Sequence, residues 1–260
     1  EPWSSATVYN SAFRAIGLDW RCVRLPVSPA RLREALSGLR ALGFAGAELA
    51  EPYQRQALEL VEEATPAAET IGAAKFVFLD EGGRLVGDTL LWTAFLDTLH
   101  ALVPSTRGLR ALILGAGGSA ADIVYALTRE GVPLTILDLS VSRAVELVHR
   151  LRHARAEHSF SVYRWPQDVR LALSDVNLIV NTATLAGFAS GPNADGCLCS
   201  SGLRFPSGAL VFDLATWSTE SCFLSAARTG GATTIDAQPV SAREAALAVA
   251  RWSGQVVNPQ

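Results

Sequence analysis

The spacing of apolar residues along the first hundred positions alternates between helical and strand-like periods. Ser28-Pro29 predicts a helix start, the leucines that follow share one helical face, and Gly43 ends that helix. Apolar and charged residues alternate over residues 20–25, which predicts a strand with one solvent-exposed face. Residues 75–79 and 84–86 flank an Asp-Glu-Gly-Gly turn and predict a β-hairpin.

The pattern changes after a polar, proline-bearing stretch at residues 103–106. The continuous apolar run over residues 109–114 is typical of a parallel strand that is buried on both faces, and a helix follows it. Later elements are predicted as strands at 134–137, 176–181, 209–213 and 232–235 and as helices at 222–228 and 242–252. A regular alternation of strands and helices favours a doubly wound parallel sheet.

We therefore predict an α/β fold with two domains. The N-terminal α/β domain spans residues 1–104, with room for a first strand upstream of Glu1. The second domain spans residues 105–236 and is expected to be a Rossmann dinucleotide-binding domain. Residues 237–260 are expected to form a C-terminal helix that packs back on the first domain.

The composition restricts the function classes more than the fold. A net charge of −3 offers no basic surface for nucleic acid. No apolar run reaches the roughly 18 residues of a membrane span, and no signal peptide is recognisable, so a cytoplasmic protein is expected. The four scattered cysteines predict structural thiols and no metal site. A chain without Met that opens at Glu1 fits a piece of a longer protein or trimmed termini.

A glycine-rich loop, Gly115-Ala116-Gly117-Gly118-Ser119-Ala120, lies between a predicted strand and a predicted helix. Gly115 permits a tight turn, Gly117 allows the backbone to approach a pyrophosphate, and Ala120 permits close packing of the helix on the strand. The N–H groups and the dipole of a helix that starts near Gly118 would face the phosphates. The loop predicts a dinucleotide site; the alternative is a glycine-tightened turn that binds nothing.

Asp138 comes at the end of the next predicted strand. An acidic residue there hydrogen-bonds the adenosine ribose of NAD and repels the additional phosphate of NADP. Arg143 lies five residues later and weakens that preference. NAD is therefore expected more than NADP.

Several segments together resemble the shikimate/quinate dehydrogenase family over nearly the whole chain. They are Tyr9-Asn10, Gly17-Leu18-Asp19-Trp20, Ile71-Gly72-Ala73, Gly115-Ala116-Gly117-Gly118, Val180-Asn181-Thr182-Ala183-Thr184 and Trp252-Ser253-Gly254. The resemblance implies an N-terminal substrate domain, a C-terminal NAD(P)-binding Rossmann domain and an active site between them. It also implies that Asn181 and Thr182 contact the cofactor. Members of the family reduce 3-dehydroshikimate, or oxidise shikimate or quinate, at a ring hydroxyl.

The positions that this resemblance assigns to catalysis are changed. The family's lysine belongs to an Asn-Val-Thr-x-Pro-x-Lys segment, matched by residues 48–54, and Gln54 stands at the lysine position. The family's aspartate belongs to a Gly-x-Asn-Thr-Asp-Gly segment, matched by residues 87–92, and Leu91 stands at the aspartate position. Neither glutamine nor leucine transfers a proton near neutral pH.

The implied substrate contacts change as well. Lys75, Glu48 and Glu244 stand where the family has neutral amides, and Ser5 remains of two serines that hold the substrate carboxylate. The expected substrate contacts are therefore Ser5, Gln54, Lys75 and Glu244. A desolvated lysine can have its pKa lowered, so Lys75 is expected to act as the acid or base, with Tyr53 or Glu48 as its partner. The alternative is that Lys75 and Glu48 are solvated surface charges.

Two functions from different classes fit these residues. The first is a divergent NAD(P)-dependent oxidoreductase, distinct from an ordinary shikimate dehydrogenase, that acts on a small cyclic hydroxy acid or a related alcohol. The second is a catalytically inactive dehydrogenase-like domain that senses a ligand, as in fungal repressors of quinate use. Both bind a small molecule, and neither predicts direct contact with nucleic acid or a membrane. Membership of a larger chain and a homodimer are both left open.

Overall fold

The protein, described here by a computed structural model, divides into two compact units. The first contains Glu1–Ala94 together with Ser241–Gln260, and the second contains Phe95–Val240. The structure describes residues 5–152, 158–183, 204–215, 221–255 and 257, without the side chain of residue 5. Over these residues, no helix combines the length and the apolar character that crossing a membrane requires.

The N-terminal helices and strands begin and end near the proline and glycine signals in the sequence. In chain order they are α1 (Ser5–Ala15), a 3₁₀ turn (Pro29–Arg31), α2 (Leu32–Ala41), β1 (Gly46–Glu48), α3 (Tyr53–Leu58), β2 (Glu63–Ala64), α4 (Pro66–Ile71), β3 (Phe76–Leu79), β4 (Leu85–Asp88) and α5 (Leu91–Leu102). Pro29 opens the 3₁₀ turn, and α2 buries three leucines on one face. Gly43 then adopts a left-handed conformation with φ of 70° and ends the helix, as predicted.

The first sheet has the strand order β1-β3-β4-β2. The predicted hairpin is confirmed, since β3 and β4 pair antiparallel with Phe76 opposite Asp88. Side chains alternate across the sheet: Phe76 and Phe78 pack with α1 and the C-terminal helix, whereas Val77 packs with the leucines of α2. The sheet is therefore covered on both faces.

The strand predicted at residues 20–25 is wrong, because the structure has no regular element there. Asn10 of α1 donates from Nδ2 to the carbonyl oxygen of Cys22 at 3.0 Å and accepts from the Cys22 N–H at 2.7 Å. This side chain satisfies both backbone groups of Cys22 without a neighbouring strand. The apolar alternation instead reflects Trp20 and Cys22, which pack on the hydrophobic cluster that contains Tyr9, Phe13, Phe76 and Phe78.

The second unit alternates strands and helices from residue 111 onwards. Its elements are β5 (Ala111–Leu114), α6 (Gly118–Arg129), β6 (Leu134–Asp138), α7 (Val141–Arg152), β7 (Phe160–Arg164), α8 (Val169–Ala172), β8 (Leu178–Asn181), β9 (Leu210–Asp213), α9 (Cys222–Thr229) and β10 (Thr233–Ile235). The C-terminal helix α10 (Gln238–Ser253) follows them, and residues from Ser241 onwards belong to the first unit.

All strand pairs described in the second unit are parallel, in the order β10-β9-β8-β5-β6-β7. This order places β5 in the centre and reverses direction next to it, as in a doubly wound dinucleotide-binding sheet. β5, β8 and β9 are buried along their whole length, which explains their uninterrupted apolar sequences. The predicted α/β fold with a Rossmann-type domain is confirmed; β7, which is half exposed, was not predicted.

The cysteines correct one prediction. Cys22 is a half-buried free thiol, in agreement with the prediction. Cys222, at the start of α9, is disulfide-bonded, so the prediction of a thiol is wrong there. Cys197 and Cys199 lie outside the described residues. Spacing along the chain does not reveal which cysteines approach each other in the fold, which is why the sequence did not indicate the bond.

Gly46 in β1 provides a test of the packing between the first sheet and α10. A Cβ at this position would overlap the carbonyl oxygen of Val77 and Nε1 of Trp252. We expect Gly46→Ala to lower the free energy of unfolding by about 3 kcal/mol, because backbone and an indole cannot both move aside. Denaturant unfolding followed by tryptophan fluorescence measures the change.

Gly38→Ala is the matched control. Gly38 lies inside α2, and nothing stands within 4 Å of the Cβ it would gain. Alanine is the better helix former, so this variant should be as stable as the parent or more stable by about 0.5–1 kcal/mol. Equal losses in the two variants would contradict the packing argument.

Candidate functional site

The glycine-rich loop joins the end of β5 to the start of α6. Gly115 has φ of +99°, a conformation that favours glycine. A Cβ there would lie 3.0 Å from Cβ of Ala183 and 3.1 Å from Oγ1 of Thr182. The turn is therefore restricted to glycine by backbone conformation and by the chain that follows β8.

Gly117 has a different reason to lack a side chain. It is the N-cap of α6, and nothing lies within 4 Å of the Cβ it would gain, so the space in front of the helix is open. The first N–H groups of α6 have no carbonyl partner within the helix and carry its positive dipole end. Ala120 is fully buried, as close packing of helix on strand requires. This arrangement suits the pyrophosphate of a dinucleotide.

Asp138 ends β6, directly beside the loop in the sheet. Its side chain is only 1% exposed, and Nη2 of Arg143 donates to both carboxylate oxygens at 2.7 and 2.8 Å. The N–H of Ser140 donates to Oδ1 at 2.7 Å. The carboxylate is thus fixed at the carboxyl end of β6, and Arg143 neutralises part of its charge.

Asn181 and Thr182 follow at the end of β8, on the other side of β5. The Asn181 amide donates from Nδ2 to Oδ1 of Asp213 at 2.9 Å, and Ser221 donates to the second oxygen of Asp213 at 2.7 Å. Thr182 donates from Oγ1 to the carbonyl oxygen of Leu114 at 2.8 Å. Asp213 and Ser221 were not predicted as members of this network.

The residues predicted to bind the cofactor therefore share one edge of the sheet. They follow the carboxyl ends of three adjacent strands, β6, β5 and β8. In doubly wound sheets this edge, at the point where the strand order reverses, is where ligands bind.

A second group of polar residues lies in the first unit and is charged. Nζ of Lys75, just before β3, donates to Oε1 and Oε2 of Glu244 in α10 at 2.9 and 2.8 Å. Glu48, at the end of β1, lies 3.6 Å from the same Nζ. The exposed fractions of the three side chains are 25% for Lys75, 21% for Glu48 and 10% for Glu244. We call Glu48, Lys75 and Glu244 the charge cluster.

The charge cluster contains the chain's one lysine. Of 22 lysine and arginine residues, Lys75 is the single lysine and the other 21 are arginines. Two carboxylates around the ammonium stabilise its charged form and oppose the effect of desolvation. The surroundings of Lys75 therefore favour the ammonium form over the neutral amine that desolvation alone would favour.

Tyr9 of α1 contacts the charge cluster and was not predicted as a site residue. Its hydroxyl donates a hydrogen bond to Glu48, and its side chain is buried. Burial, and then the negative charges of Glu48 and Glu244, raise the pKa of Tyr9, so the hydroxyl stays protonated. Burial and the charge of Glu48 also raise the pKa of the Cys22 thiol. The sequence signal for Tyr9 was its position next to Asn10, whose side chain binds the backbone of Cys22.

Glu244 depends on Lys75 for its charge. Burial raises the pKa of Glu244, the Lys75 ammonium opposes this rise, and the charge of Glu48 adds to it. A carboxylate in such a place is tolerated because both of its oxygens are hydrogen-bonded to one cation. The three charges therefore form one interdependent unit.

Tyr53 and Gln54 form side-chain hydrogen bonds with backbone groups outside the charge cluster. The Tyr53 hydroxyl donates to the carbonyl oxygen of Val27 at 2.6 Å. Gln54 donates from Nε2 to the carbonyl oxygen of Leu49 at 3.0 Å, and Leu91 begins α5. Ser5 is the first residue of α1, and its side chain lies outside the described residues. Among the residues that the structure describes, no three His, Cys, Asp or Glu side chains are grouped to hold a metal ion.

Comparisons with known proteins agree with both halves of this architecture. Residues 3–77 match the family described as shikimate dehydrogenase substrate binding domain. The chain is 30% identical over 251 residues to shikimate dehydrogenase (NADP(+)) of Methanosarcina acetivorans, covering 96% of this chain and 88% of that protein. It is 31% identical over 257 residues to the protein of the same name from Gluconobacter oxydans, covering 98% and 87%. The fold is similar to that of quinate dehydrogenase from Corynebacterium glutamicum in complex with NAD, with a TM-score of 0.84, 23% identity and coverage of 98% and 90%.

The interdependence of the charge cluster can be tested by stability measurements. We expect Lys75→Asn alone to lower the free energy of unfolding by about 2–4 kcal/mol at neutral pH, because it leaves two partly buried carboxylates without a cation. The triple variant Glu48→Asn, Lys75→Asn, Glu244→Gln should recover most of that loss, since it restores neutral amides at all three positions. Denaturant unfolding of the two variants and the parent gives the values. Additive losses in the triple variant would contradict the proposed coupling.

Proposed function

The chain belongs to the shikimate dehydrogenase family, and we propose that it is a divergent NAD(P)-dependent oxidoreductase. Its substrate is a small cyclic hydroxy acid or a related alcohol, and it is not an ordinary shikimate dehydrogenase. The charge cluster supports this proposal most directly, because it contains a lysine that can serve as a proton donor. Gln54 and Leu91 stand at the positions of the family's catalytic lysine and aspartate and cannot take that role.

The cofactor part of the proposal rests on the loop between β5 and α6. Gly117, in front of the helix, leaves space for a pyrophosphate, and Gly115 keeps the turn tight. Gly115, Ala116, Gly117, Gly118 and Ser119 would hold the phosphates, with Asn181 and Thr182 alongside. A bound nicotinamide nucleotide would supply or accept the hydride.

We propose NAD over NADP as the preferred nucleotide. The support is Asp138, whose carboxylate stands at the end of β6, where the adenosine ribose is held in this class of fold. Arg143 shares that carboxylate and reduces its repulsion of an added phosphate, so the preference should be moderate. Relatives carry NADP(+) in their names, and the quinate dehydrogenase was crystallised with NAD, so both nucleotides belong in the test.

The acid–base part of the proposal rests on Lys75. In the direction of carbonyl reduction, the Nζ–H bond breaks as an O–H bond forms on the substrate oxygen, and in oxidation the proton returns to Nζ. Glu48 is the proposed partner of Lys75, while Tyr53 has its hydroxyl on Val27 and is assigned a smaller role. Ser5, Gln54 and Glu244 complete the proposed substrate contacts.

A catalytically inactive, ligand-sensing domain is the second candidate. The observation in its favour is that Lys75 is held by two hydrogen bonds to Glu244, as a structural ion pair would be. A sensor of this kind would bind shikimate, quinate or a similar ligand without turnover.

Gly117→Val tests the cofactor site. The Cβ that valine adds meets nothing within 4 Å in the free protein, so the melting temperature should fall only by the few degrees that loss of a glycine N-cap costs. The same side chain would occupy the place of the pyrophosphate, and NAD binding should weaken at least about tenfold. Calorimetric titration with NAD and NADP gives both affinities and their ratio. Undiminished binding of both nucleotides by the variant would exclude this loop as the phosphate site.

Lys75→Arg tests the catalytic assignment. Arginine keeps the charge and the bonds to Glu244, but it does not give up a proton, so turnover should fall by about 100-fold or more while the protein stays folded. The assay follows oxidation of NADH and NADPH with 3-dehydroshikimate and related cyclic ketones, and the reverse reaction with shikimate and quinate. Turnover equal to that of the parent would refute the role of Lys75. Ligand binding without turnover in the parent would favour the sensor.

A further inference from the structure

We propose that the two carboxylates beside Lys75 have separate tasks: Glu244 positions the ammonium group, and Glu48, held by Tyr9, transfers the Lys75 proton to and from solvent. This inference rests on the proposed function, because it describes how the proposed proton donor is held and recharged. Glu244 is on this view a positioning residue, and Glu48 is a proton-transfer residue.

The geometry of the cluster is asymmetric. Glu244 binds Nζ through both oxygens at 2.8 and 2.9 Å and is only 10% exposed. Glu48 lies 3.6 Å from Nζ, beyond hydrogen-bond distance, and is 21% exposed. Two short bonds from a buried group fix Nζ in direction. The contact to the more exposed Glu48 is longer, and a proton passes between Glu48 and Nζ when this contact shortens to hydrogen-bond distance.

Tyr9 gives Glu48 a fixed position. Its buried hydroxyl donates to the Glu48 carboxylate from α1, and burial together with the charge of that carboxylate raises the pKa of the Cys22 thiol. The centroid of the Phe76 ring lies 5.4 Å from Nζ of Lys75, within the range of a cation–π interaction. Two carboxylates, Glu244 from α10 and Glu48 from β1, thus face Lys75, and Tyr9 and Cys22 interact with Glu48.

The proton balance of the step is simple. When a carbonyl oxygen takes a proton from Nζ as the carbonyl carbon receives a hydride, Lys75 becomes a neutral amine. Glu48 takes a proton from water and passes it to Nζ, which restores the ammonium and the ionised carboxylate. An arginine at position 75 would not allow this cycle, because a guanidinium does not deprotonate in proteins.

The single lysine makes the proposal testable without a substrate. Protein grown with ¹³C,¹⁵N-lysine has one Cε signal and one ammonium signal, both from Lys75. The Cε shift followed against pH gives the titration midpoint of Lys75, and the ammonium signal gives the rate at which its protons exchange with water. The full chain is used in four forms: the parent, Glu48→Gln, Glu244→Gln and the control Glu62→Gln. Glu62 belongs to the same unit and pairs with Arg40 at 2.7 Å, away from the cluster.

We expect Glu48→Gln to slow proton exchange by at least about tenfold, since an amide does not carry a proton, and to lower the midpoint, because a negative charge beside the ammonium is lost. Glu244→Gln should lower the midpoint more than Glu48→Gln does and should not slow exchange. Glu62→Gln should resemble the parent. Should Glu244→Gln not fold, Glu244→Asp provides the second variant, with a midpoint below that of the parent and unchanged exchange.

Two results would overturn the proposal: unchanged proton exchange in Glu48→Gln, or equal slowing in Glu48→Gln and Glu244→Gln. Neither depends on catalysis. If the variants show the expected exchange pattern but the parent shows no turnover with any nucleotide, the division of tasks is supported and only the oxidoreductase assignment is refuted.

Discussion

The ion pair between Lys75 and Glu244 connects α10, the last helix that the structure describes, to the beginning of β3. A carboxylate that is only 10% exposed is costly unless a cation stands beside it, and Lys75 makes two hydrogen bonds to it. Glu48 lies beside the same ammonium, and the Tyr9 hydroxyl donates to Glu48. The electrostatics of the charge cluster therefore depend on this one contact, as does the chemistry proposed for it.

The nucleotide site is built by different means. Gly115 and Gly117 act through the backbone conformation and the space they leave, and the network of Asn181, Asp213 and Ser221 supports the neighbouring strand ends. None of these features involves the charge cluster. Side chains in one unit can thus change while the other unit keeps its shape, which agrees with a retained phosphate loop and replaced residues at Gln54 and Leu91.

The fold was predictable from the sequence because its signals are local. Glycines that need a positive φ, such as Gly43, and fully apolar strands such as β5 fix where elements begin and end. The errors arose where a distant side chain decided the outcome. Asn10 satisfies the backbone of Cys22 in place of a strand partner, and Cys222 is disulfide-bonded. The proximity of Lys75 and Glu244, which are far apart along the chain, was predicted from the family resemblance and not from any local pattern. The resemblance includes Tyr9-Asn10 but assigned Tyr9 no role in the site.

The position of Glu48 has a consequence for association between chains. β1 lies at one end of the strand order of its sheet, so one side of it has no partner strand among the described residues. Strands at a sheet edge are templates for the addition of a further strand, and a charged side chain held inward on such a strand discourages it. Glu48 is held inward by Lys75 and Tyr9. The carboxylate that completes the charge cluster is thus also of the kind by which proteins discourage pairing at a sheet edge.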